Sequence, residues 1–87
     1  MNKYETWDRL KEPAPVVDAA GVRRWYNKYN QLHRENNLPA VIHPSGATDY
    51  YLNGEFYNPG GGPAVVDADG TEWWYSESEL FQFEEIT

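Results

Sequence analysis

Short apolar pairs recur along this chain at nearly constant spacing, each followed by a polar turn. Val16-Val17, Val41-Ile42 and Val65-Val66 each precede three residues and a glycine, at Gly21, Gly46 and Gly70. The fourth and fifth residues after each glycine are aromatic: Trp25-Tyr26, Tyr50-Tyr51 and Trp74-Tyr75. Copies one and two are offset by 25 residues, copies two and three by 24. Pro39-Ala40 and Pro63-Ala64 lead the second and third copies, whereas in the first the proline is displaced by one position, to Pro15. Such periodicity is the signature of a repeat architecture.

Each copy predicts two short strands around a turn. The apolar pair forms one strand, and Asp18, His43 or Asp67 starts a turn that ends on a glycine able to take positive φ. The aromatic pair is expected to open the returning strand, where Tyr and Trp are favoured. Asn53-Gly54 signals a second, tighter hairpin. Asn58-Pro59-Gly60-Gly61-Gly62 reads as a loop between copies two and three, and Phe81–Ile86 alternates enough to read as a last strand. Residues 18–34 also carry helical spacing, through Val22, Trp25, Tyr26, Tyr29 and Leu32. Gly21 in the first turn of such a helix and the repeat register favour strands. Tyr4, Trp7 and Leu10 would line one face of a short helix over residues 3–10. The expected fold is therefore mainly β: three degenerate β-hairpin repeats, at about 13–34, 38–57 and 62–81, in a twisted antiparallel meander within one domain, 1–87.

Composition sharpens this picture. A chain of 87 residues buries little apolar surface, and with no cysteine it has no disulfide to help. Four Trp, seven Tyr and three Phe supply the bulk instead. No apolar signal segment and no run long enough to span a bilayer is visible, so the expectation is a soluble protein of a reducing cytoplasm. All seven Lys and Arg lie within residues 1–34, which carry four acids and a net +3; residues 35–87 carry ten acids and a net −10. A half without a cation disfavours direct nucleic-acid binding, which needs clustered Lys and Arg, and favours steering toward a basic partner.

The run Leu32-His33-Arg34, then Leu38-Pro39-Ala40-Val41-Ile42, Gly46 and Tyr50-Tyr51-Leu52-Asn53-Gly54, resembles the MORN-like repeats of phages, bacteria and large viruses. The resemblance covers roughly residues 10–80 and implies stacked β-hairpins that serve as a binding scaffold, without catalytic residues. The array is degenerate. Leu-His-Arg is intact once, its expected counterparts being Glu55-Phe56-Tyr57 and Glu79-Leu80-Phe81, and Asn-Gly is intact once, at Asn53-Gly54. A small, acidic, cysteine-free, aromatic-rich chain with such repeats also resembles phage-encoded inhibitors of host defence of the anti-CRISPR kind.

Enzyme signatures are scarce. His33 and His43 lack a histidine partner at metal-binding spacing; His33 is expected to bond within its hairpin, and His43 to act as a turn residue. Asp67-Ala68-Asp69-Gly70-Thr71-Glu72 begins like a calcium loop, but Thr71 and Ser78 stand where ligands are needed, so an Asx-type turn is the simpler reading. Gly60-Gly61-Gly62 lacks the Lys-Ser/Thr of a phosphate loop. No cofactor or metal is expected. The candidate site is a partner-binding one: Glu72, Glu77, Glu79, Glu84 and Glu85 would face a protein's basic surface, with Trp73 or Trp74 as anchor. Open sheet edges make a homodimer the second expected association.

Overall fold

The computed structural model describes residues 13–83, and these are mainly β. The nine strands are β1 (Val16–Val17), β2 (Arg23–Arg24), β3 (Val41–Ile42), β4 (Thr48–Asp49), β5 (Tyr51–Leu52), β6 (Glu55–Phe56), β7 (Val65–Val66), β8 (Glu72–Ser76) and β9 (Glu79–Phe81). One 3-10 turn, Pro59–Gly61, lies between β6 and β7. Residues 18–34 hold strands and turns, as the repeat register requires. The candidate helix over 3–10 lies outside the described residues.

Seven strands form one antiparallel ladder in the order β1-β2-β3-β4-β7-β8-β9, and β5 pairs with β6 apart from it. The three apolar pairs play one role. Each is the outgoing strand of a hairpin, β1–β2, β3–β4 or β7–β8. The turns share one hydrogen-bond pattern. The carbonyls of Asp18, His43 and Asp67 accept the N–H of Gly21, Gly46 and Gly70, each at 2.9 Å. Those glycines take φ of +90°, +98° and +91°. This is the three-residue hairpin loop whose last position is left-handed, and a side chain there is strained.

The aromatic pairs do not open the returning strands. Those strands begin at Arg23, Thr48 and Glu72, two residues earlier. The first aromatic marks where the chain leaves its apolar partner. Trp25 N–H donates to the Ala40 carbonyl at 2.9 Å, and Tyr50 N–H to that of Ala64 at 2.7 Å, so each pins its repeat to the next. The second aromatic opens a further row of hairpins: Tyr26 bridges Leu32, Tyr51 pairs with Phe56, and Tyr75 with Leu80.

That pairing corrects the repeat alignment by one residue. The counterparts of Leu32-His33-Arg34 are Phe56-Tyr57-Asn58 and Leu80-Phe81-Gln82. The first hairpin of this row has a longer loop, closed by Asn27 N–H to the Gln31 carbonyl with Asn30 at φ +64°, while Asn53-Gly54 and Glu77-Ser78 turn in two residues. The extra residue accounts for the first offset being 25 and the second 24. Of the last strand expected over residues 81–86, Phe81 lies in β9, Gln82 and Phe83 are not in a strand, and residues 84–86 lie outside the described residues.

The core is small and sits at the junctions between repeats. Among the described residues Trp25, Ala40, Val41 and Ala64 are its buried apolar residues, with both alanines at 0% exposure. Alanine suits these positions because the backbone of the preceding repeat's aromatic docks on them. The Arg34 guanidinium lies 3.7 Å from the centre of the Trp25 ring, closing the first junction by a cation–π contact. Repeats that follow one another along a single ladder give an extended molecule. The radius of gyration is 15.0 Å, against about 12 Å for a compact domain of this length.

Candidate functional site

A side-chain clip recurs in every repeat, between the residue that starts the turn and the one six positions on. Asp18 accepts from Arg24 Nη1 at 2.9 Å, His43 Nε2 meets Asp49 Oδ2 at 3.1 Å, and Asp67 Oδ2 accepts from Trp73 Nε1 at 2.8 Å. The sequence does not reveal this clip, since an ion pair, an imidazole–carboxylate pair and an indole–carboxylate pair share no residue type. Three chemistries close one geometry, which marks the first-row hairpins as scaffold. The Arg24 guanidinium and the N–H groups of Val22 and Ala20 hold the Asp18 carboxyl below the usual carboxylate range. Hydrogen bonds from Thr71 do the same for Asp69. In the calcium-like segment, therefore, Asp67 is engaged by Trp73, and Asp69 by Thr71 N–H at 3.0 Å.

Both histidines make contacts that tie the hairpins, though not wholly as expected. His43 holds its turn position. His33 reaches beyond its own hairpin: Nδ1 accepts the Asn53 N–H of the next repeat at 3.0 Å, and Nε2 lies 2.5 Å from Glu35 Oε2. The pattern assigns the proton to Nε2. Asn58 does similar work one repeat on, where its side-chain amide both accepts from Tyr75 N–H (2.9 Å) and donates to the Tyr75 carbonyl (2.7 Å).

The second aromatics do not make a bare outward stripe, and most of the terminal segments that could cover them lie outside the described residues. Tyr51 stacks on Phe56 at 4.4 Å, and Phe56 leans on Tyr75 at 5.7 Å, so adjacent hairpins pack on each other, half-buried. Burial pushes the Tyr51 phenol up, with Asp49 adding to the effect.

The candidate partner-binding residues divide among three places. Strand alternation and the pairs Trp74↔Phe81 and Ser76↔Glu79 put Glu72, Trp74, Glu79 and Phe81 on one face of β8–β9. Trp73 lies on the opposite face, its indole N–H donating to Asp67. Glu77 is exposed at the hairpin tip. Glu84 and Glu85 lie outside the described residues. Two members of the face were not singled out from sequence. Phe83 packs 4.6 Å from Trp74 and 5.3 Å from Phe81, and is 64% exposed. Phe83 lies beyond β9, so its ring contacts rather than strand alternation place it there. The Trp74 indole donates to the Gly61 carbonyl at 3.0 Å, which fixes its edge against the glycine loop. The result is an aromatic patch of Trp74, Phe81 and Phe83 flanked by Glu72 and Glu79. A concavity of about 280 Å³ lies at the other end of the chain, around Trp25, Lys28, His33 and Arg34, away from this patch.

No family model, curated protein or solved structure matches this chain. The local geometry is therefore what bears on function.

Proposed function

We propose that this chain is a non-enzymatic, MORN-like protein-binding module whose C-terminal face engages a basic surface on another protein. The observation that carries this reading is the aromatic patch ringed by Glu72 and Glu79, in a half-chain with no Lys or Arg after residue 34. Exposed aromatic surface supplies contact area at low entropic cost, and the ring faces attract Lys and Arg side chains. The carboxylates add orientation and on-rate more than affinity. A surface that normally holds phosphates is the partner that best fits such a face, and occupying it would inhibit a nucleic-acid-handling complex, as a phage-encoded anti-defence protein would. Glu77 extends the acidic rim.

Affinity capture from a cell lysate, with the wild-type chain and a Glu72→Lys/Glu79→Lys variant as baits, tests this. The expected outcome is a basic nucleic-acid-handling protein held by the wild type, released as salt rises and displaced by added DNA, and not held by the variant. Equal capture by both baits would refute the reading.

A further inference from the structure

We infer that copies of this chain join head to tail, with the outer edge of β1 in one copy pairing with the outer side of the first half of β8 in the next. The repeat-to-repeat junction supplies the template. At the first junction Arg23 pairs with Ile42 and Arg24 with Val41; at the second Thr48 pairs with Val66 and Asp49 with Val65. In both, a returning strand receives the apolar pair of the following repeat. The third returning strand, Glu72–Trp73, has the same form. It pairs with β7 on one side, and β9 begins to pair only at Trp74, so among the described residues no strand receives its other side. At the opposite end β1 pairs, among the described residues, only with β2, and Val16 and Val17 are each 57% exposed, an apolar strand edge of the kind that templates pairing.

Continuing the register across two copies places Val17 of the second copy opposite Glu72 of the first, and Val16 opposite Trp73. The first repeat meets this junction with one sequence anomaly, Pro15 in the place of Ala40 and Ala64. The N–H groups of those alanines serve their own hairpins, to the carbonyls of Asp49 and Trp73, while their carbonyls accept from the preceding repeat at Ala40 and Ala64. Proline keeps the carbonyl and gives up only the N–H, so Pro15 is compatible with the junction. Charge sets the direction. Residues 1–34 carry +3 and residues 35–87 carry −10, so unlike ends attract and two acidic ends repel. A heterologous junction of this kind does not close on itself at two copies, in contrast to the homodimer that the sequence suggests.

The junction uses strand edges, whereas the basic-partner reading uses the face of Glu72, Trp74 and Glu79, and the two fail separately. Val17→Pro leaves that face intact and removes an N–H at the outer edge of β1. Sedimentation equilibrium from micromolar to millimolar concentration is the test, with far-UV circular dichroism to verify folding. Wild type should show an average mass that keeps rising past the dimer and falls with salt. Val17→Pro alone and Glu72→Pro alone should stay monomeric. Their mixture should form dimers and stop there, because each variant retains the edge the other lacks. Should a proline melt its strand, Val17→Glu should abolish association by facing Glu72, and the double variant Val17→Glu/Glu72→Lys should restore it. A wild type that stays monomeric, a mass that levels at the dimer, or a mixture that fails to associate overturns the inference.

Discussion

Trp25 is the residue on which the array depends most. It is 5% exposed, donates its N–H across the first junction and carries Arg34 on its ring face. Trp25→Ala should cost about 3–5 kcal/mol, as large-to-small changes at buried aromatics do, and in a chain this small that is much of the total stability. Chemical denaturation of the two proteins checks it. Asp18 gives a pH-dependent counterpart. Its carboxyl is held below its ordinary value of 3.8, first by Arg24 and then by backbone N–H groups. The unfolded chain therefore binds this proton more readily. The stabilisation is in full force above the unfolded pKa and is lost as pH falls through the lower folded one. Melting temperature should fall below pH about 4, and less steeply in Asp18→Asn, where the side chain can still accept the Ala20 and Val22 N–H groups. At this scale the sequence exposes the aromatic positions plainly but hides the clip partners. Arg24, Asp49 and Trp73 are equivalent only through where they sit, and a comparison of residue types passes over them.

At the level of elements, the turns explain both what was legible and what was not. The Asp-or-His-x-x-Gly loops announce themselves, because only a residue tolerant of positive φ ends them well. The second-row turns do not. Glu77 at φ +51° and Ser78 at φ +67° adopt the double left-handed conformation that Asn53-Gly54 adopts in the middle repeat, with residue types that pay for it, at roughly 1 kcal/mol per position. Replacing them by Asn-Gly should stabilise the β8–β9 hairpin by about 1 kcal/mol, read as a higher denaturation midpoint with an unchanged slope. Because Glu77 lies on the rim of the proposed binding face, the same variant should weaken partner capture while raising stability. The one-residue slip in the Leu-His-Arg alignment also belongs here. An inserted residue in a loop cannot be placed from spacing alone, and only the pairs Tyr26–Leu32, Tyr51–Phe56 and Tyr75–Leu80 locate it. His33 was expected to bond locally for the same reason, since its acceptor role toward Asn53 depends on how neighbouring hairpins stack.

Over the whole molecule, the repeats turn a division of charge along the sequence into a division in space. The basic first repeat and the acidic third stand at opposite ends of the seven-strand ladder. On that arrangement rest both proposals, a basic partner at the acidic end and two copies meeting in one orientation. It was legible in outline from the charge count, whereas the placing of Trp74 and Trp73 on opposite faces required the strand register. The central claim, that the Trp74–Phe81–Phe83 face contacts a basic protein, is tested most directly by site-specific photocrosslinking in a cell lysate. A photoreactive phenylalanine analogue replaces Phe83 in one sample and the exposed Tyr29, near the basic end, in another. The account predicts a crosslink from position 83 to a basic nucleic-acid-handling protein, lost in the Glu72→Lys/Glu79→Lys background and not formed from position 29. A crosslink that survives the charge reversal, or one that forms equally from position 29, would contradict it.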